Sequence, residues 1–146
     1  MNQAWLEATL RTVERPVLRE WLLWMLIDPT HGVAQHTENG SAQRKAVEDV
    51  ARLWRNGGTP EQFKAAAHAA YATYAAANAN AAAFAADAAN AAEAAGYAAD
   101  AAASAAYAAS AAGRRAWVDA ACRKLLSLMH PGEDVANVVA CAELSS

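Results

Sequence analysis

Positive charge is missing from the middle of this chain. All twelve Lys and Arg lie outside Ala65–Ala112, where the only charged side chains are Asp87, Glu93 and Asp100. Proline is missing there too: none of the four falls between Pro60 and Pro131, so no pyrrolidine ring interrupts a helix over that span. The two cysteines, Cys122 and Cys141, form neither a CxxC pair nor a disulfide-dense pattern. That excludes a disulfide scaffold and predicts two buried thiols in a reducing compartment. The longest strongly apolar run, Trp21–Ile27, is too short to span a bilayer, and the alanine tract would leave Asp, Asn and Glu in lipid. No basic n-region followed by an apolar run opens the chain. The expectation is a cytoplasmic protein that is not bound to a membrane.

Catalytic signatures are absent as well: there is no Gly-rich phosphate loop, GxSxG, HExxH or CxxC. His31, His36, His68 and His130 are scattered. His31 and His36 share a polar segment with Glu38, an arrangement that could make an acid–base pair but reads more simply as a solvated loop. Glu93 and Asp100 lack the further ligands a metal would need. The reading is a non-enzymatic protein with no cofactor and no metal.

What the sequence does have is alanine. Hydrophobic residues make up 55% of the 146, but most of that share is alanine, which offers little area to bury. Larger apolar side chains, including the five tryptophans, concentrate toward the two ends. A net charge of −3 gives no bulk reason to expect nucleic acid. At this length the expectation is one domain, residues 1–146.

Local signals place the helices. A first helix is expected over Asn2–Val13, with Trp5, Leu6, Leu10 and Val13 on one side. Pro16 reads as an N1 proline opening a second helix. There Val17, Leu18, Trp21, Leu22 and Met25 recur at helical spacing, and Asp28-Pro29 closes it. His31–Gly40 reads as loop. Ser41 begins a third helix whose apolar face is Ala46, Val47, Val50, Ala51 and Trp54, ended by Asn56-Gly57-Gly58. Thr59-Pro60-Glu61-Gln62 is a capping box with proline at N1. A late helix over Arg114–Met129 turns Trp117, Val118, Ala121, Cys122, Leu125 and Met129 inward and Arg114, Arg115, Arg123 and Lys124 outward. Those four cations stand as a small basic patch or simply the wet face of the helix. A short helix over Glu133–Leu144 follows the His130-Pro131-Gly132 turn.

From Phe63 to the next proline, Pro131, about 65 residues as one straight helix would run to roughly 100 Å. The tract is therefore expected to fold back, at Asn78-Ala79-Asn80 or at Gly96, its poorest helix formers. The fold class is all-α, a compact bundle of about five to seven helices with long alanine-rich central ones. On one continuous helical wheel, His68, Tyr71, Asn78, Asn90, Glu93, Tyr97, Asp100, Ser104 and Tyr107 occupy about a third of the circumference, and the opposite side is nearly pure alanine. This stripe either keeps the bundle soluble or lines a binding surface; a break would rotate its halves apart. The binding candidates are His68, Tyr71, Asn90, Glu93, Tyr97, Asp100 and Tyr107, with Arg114 and Arg115.

Glu20-Trp21-Leu22-Leu23-Trp24-Met25-Leu26 resembles the DWLLWLL-type block of an alanine-rich immunity-protein family of phage and bacterial genomes. Arg44-Lys45-Ala46-Val47-Glu48, Trp54-Arg55-Asn56-Gly57 and Thr59-Pro60-Glu61-Gln62 are similar to the block that precedes its alanine tract. The likeness covers Arg15–Met129. Where members often carry an acidic-Arg-Pro-Arg segment, this chain has Ser41-Ala42-Gln43-Arg44-Lys45. The resemblance implies a helical bundle that neutralises a macromolecular partner, a toxin or a defence component, and it assigns no functional residue. Two alternatives stand beside it. One is sequestration of a nucleotide-like small molecule by Tyr71, Tyr97, Tyr107 and the tryptophans, which would need Arg114, Arg115 or Arg44 to point inward. The other is a structural bundle that forms homo-oligomers through its alanine faces.

Overall fold

The computed structural model describes residues 1–73, 79–94, 96–108 and 113–145. Among the described residues the chain is all-helical, with no strand. It forms α1 (Gln3–Leu10), α2 (Arg15–Ile27), a 3-10 turn (Val33–His36), α3 (Ala42–Asn56), α4 (Pro60–Ala72), α5 (Ala79–Asn90), α6 (Gly96–Ala108), α7 (Arg114–Met129) and α8 (Val135–Ser145). That is one α-helix more than the expected maximum of seven, because the alanine tract forms three helices among the described residues rather than two; Ala79 and Asn80, expected at a break, are instead helical at the start of α5. α4 ends at its C-cap Thr73, whose hydroxyl donates to the Ala70 carbonyl at 2.8 Å; Asn78 lies outside the described residues. A break separates Asn90 from Gly96.

The accessible surface of 7580 Å² is close to the roughly 7,100 Å² of a compact monomer of this mass, so the tract is not a rod. α5 packs most extensively, between α4 and α6, while α1 and α7 close over α6 and α3 closes over α4 and α5. Alanine makes this layering possible, because methyl side chains let helix axes approach toward the short end of the usual range. Ala85, Ala86, Ala88, Ala98, Ala101 and Ala102 are fully buried. Trp21 and Phe84 fill the centre with Leu6, Leu10, Leu22, Met25, Leu26 and Leu125.

The tryptophans do more than fill volume. Trp21 Nε1 donates to the Ala121 carbonyl at 3.1 Å, Trp54 Nε1 to Ala88 at 2.8 Å and Trp117 Nε1 to His31 at 3.3 Å. Each satisfies a donor that would be costly to bury unpaired. The Ala88 bond falls in the last turn of α5, where helical carbonyls lack intrahelical partners. Arg15 completes that end: its guanidinium sits 5.1 Å from the centroid of the Trp54 ring, and Nη1 donates to the Ala92 carbonyl at 3.1 Å. The end of α5 is thus capped by α2 and α3.

Several local expectations hold. Ser41 caps α3 by accepting from the Arg44 amide, Gly57 takes the left-handed φ of 81° at its end, and Thr59 and Gln62 form the capping box of α4. Others are corrected. α1 stops at Leu10 rather than Val13, with Arg11 as its C-cap. Pro16 is the second residue of α2, not the first, since Glu14 is the N-cap. The segment from His31 to Gly40 contains the 3-10 turn, and its Val33 is buried. Met129 is 37% exposed instead of inward, because it is the last residue of α7. Only Cys122 is buried; Cys141 is exposed on α8.

Candidate functional site

The polar stripe does not survive as one surface. Its wheel assumes an unbroken phase of ~100° per residue, and the breaks reset that phase between α4, α5 and α6. Two separate groupings result.

The first crosses the three alanine-rich helices. Tyr71 of α4 and Tyr97 of α6 are 48% and 39% exposed. Asp87 of α5 is half-buried, and Asp100 of α6 is exposed. Burial pushes the Asp87 carboxyl up to about 6, the charge of Asp100 adds to the rise, and a hydrogen bond from Ser104 opposes it. The phenol of Tyr71 is likewise raised by burial, then by Asp87, Tyr97 and Asp100. Tyr71 and Asp87 therefore share Asp100 as an electrostatic neighbour, Tyr97 acts on Tyr71, and Ser104 hydrogen-bonds Asp87. His68, one turn before Tyr71, is exposed beside it on α4. Asp87 was not a site candidate, since a continuous wheel puts it off the stripe. The signal in the sequence is spacing: Phe84, Asp87, Asn90, Glu93, Tyr97, Asp100, Ser104 and Tyr107 punctuate the alanines at steps of three and four.

The second grouping is a groove of about 400 Å³ where the start of α4 lies beside the end of α5. Asn90 and Glu93 belong here, facing Arg15, Glu61, Phe63 and Lys64, and not with Tyr97 and Asp100. Arg15, Glu61 and Lys64 carried no sequence signal for a site, because the groove exists only once α2 and the α5 terminus meet.

Of the two basic binding candidates, Arg114 is turned to structural use and Arg115 is not. Arg114 is half-buried rather than outward and donates through Nε to the Ala106 carbonyl at 3.1 Å, at the end of α6. Arg123 pairs with Asp119 at 2.8 Å, while Arg115 is exposed. Arg44 donates to Thr37, Asn39 and the Ala34 carbonyl. His31 pairs with Asp28 at 3.3 Å rather than with Glu38, and its ring stacks on Trp24 at 5.2 Å. The side chain of Tyr107 lies outside the described residues.

Chemically, the first grouping offers carboxylate acceptors and phenol rings to a cation, and aromatic faces attract guanidinium groups. Among the described residues no group of three or more His, Cys, Asp or Glu could hold a metal ion, and no helix is long and apolar enough to cross a membrane. Comparison with known proteins found no matching family model, no matching curated protein and no matching solved structure.

Proposed function

We propose that this is a non-enzymatic binding protein whose α4–α5–α6 face captures a basic surface of one protein partner. The observation that carries the reading is a half-buried Asp87 that feels the charge of Asp100 in a segment without a single Lys or Arg. Two carboxylates so placed are mutually unfavourable in the free protein, and an incoming Arg or Lys relieves that cost. Half-exposed Tyr71 and Tyr97 flank them with the side chains that most often anchor interfaces. Such a face steers a basic partner into place by long-range attraction.

Neutralisation of a toxin or defence component, as the resemblance to immunity proteins implies, is the biological form this binding takes. The nucleotide-like alternative loses support because Arg44 and Arg114 are committed to backbone carbonyls. The oligomerising bundle loses support because the alanine faces pack against one another inside the chain.

The test is parallel capture from host lysate on immobilised wild-type protein and the Asp87→Asn/Asp100→Asn variant. One basic protein retained by the wild type, released by moderate salt and absent from the variant column supports the reading. No protein retained, or equal retention on both columns, refutes it.

A further inference from the structure

The groove between the start of α4 and the end of α5 takes no part in the partner face, and its chemistry points to a different occupant. Its walls carry two cations, Arg15 and Lys64, and two carboxylates, Glu61 and Glu93, with Asn90 beside them and Pro60, Ala92 and the nearly buried Phe63 as its apolar lining. A groove with one sign of charge would select an anion or a cation. This one is balanced, and it suits a ligand bearing both charges.

Arg15 is already oriented: stacking on Trp54 and bonding to the Ala92 carbonyl hold its guanidinium in place. The remaining donors of its fork stay available for a carboxylate. Preorganisation of this kind lowers the cost of ordering on binding. The volume, about 400 Å³, falls in the range of small-ligand sites.

We propose that this groove binds an apolar amino acid zwitterion, free or as a short peptide, with its carboxylate on Arg15 and Lys64 and its ammonium on Glu93 and Glu61.

Isothermal calorimetry on the full chain tests this with four probes: L-leucine, the dipeptide Leu-Leu, N-acetyl-leucine, which lacks the ammonium, and leucinamide, which lacks the carboxylate. Saturable binding of L-leucine or of Leu-Leu, weakened about tenfold or more in both blocked compounds, is expected. The better of the two zwitterions identifies the source. Lys64→Met and Glu93→Gln, both at exposed positions, should each weaken that binding by about tenfold while circular dichroism stays unchanged. No saturable heat from either zwitterion, equal binding of the blocked compounds, or unchanged binding in both variants overturns the proposal. The partner face is untouched by these substitutions, so the two readings fail separately.

Discussion

Replacing Asp87 by Asn should make the protein more stable and a worse binder. The carboxyl lies at about 6 in the fold against 3.8 for the free side chain. Below pH 3.8 it is protonated in both the folded and unfolded chain and adds nothing to the pH dependence. Between 3.8 and about 6 the folded state binds the proton and the unfolded state does not, so stability falls as pH rises. Above that window the whole penalty is present, at most about 3 kcal/mol. Solvent screening of a half-exposed group reduces this to about 1–2 kcal/mol. Asn removes the charge and can still accept the hydrogen bond from Ser104. Urea denaturation of both proteins should therefore show Asp87→Asn more stable by about 1–2 kcal/mol at pH 7.5, with the difference vanishing near pH 3.5. Comparing the two proteins cancels the carboxylates they share. Equal stability at both pH values, or a variant less stable at pH 7.5, would refute the electrostatics on which the partner face rests.

Three other outcomes follow from the packing. Trp54→Phe strands the Ala88 carbonyl that accepts from Nε1 at 2.8 Å and weakens the stack under Arg15, and should cost about 1–3 kcal/mol in urea denaturation. Thr59→Ala removes the acceptor for the Gln62 amide and should cost about 1 kcal/mol, read as a lower thermal midpoint. Tyr71→Ala and Tyr97→Ala, at positions 48% and 39% exposed, should leave the melting curve nearly unchanged while each weakens partner affinity by about tenfold or more, measured by surface plasmon resonance.

How much of this was legible in the sequence depends on the reach of each signal. The caps of α3 and α4 are written within a few residues, and Ser41, Gly57 and Thr59 do what their chemistry dictates. The faces of α2 and α3 are equally local, since large apolar residues there mark the core against charged neighbours. In the alanine tract the same method fails, because buried Ala98 and solvent-facing Ala94 are chemically identical. Only the sparse larger residues report the phase, and their phase is lost at each turn. The stop of α5 is non-local as well: Trp54 is 34 residues and Arg15 is 77 residues from the carbonyls they cap. Asp87 and the groove beside Glu93 stay hidden for this reason, while Tyr71, Tyr97 and Asp100 enter the candidate stripe by helical spacing alone.

The most direct measurement is an NMR titration of the Asp87 side-chain carboxyl in the free protein and in the complex with the captured partner. The account predicts a midpoint near 6 in the free protein that falls below its ordinary 3.8 once a partner cation neutralises the site. A free-protein midpoint already at 3.8, or one that stays near 6 at saturating partner, would contradict it.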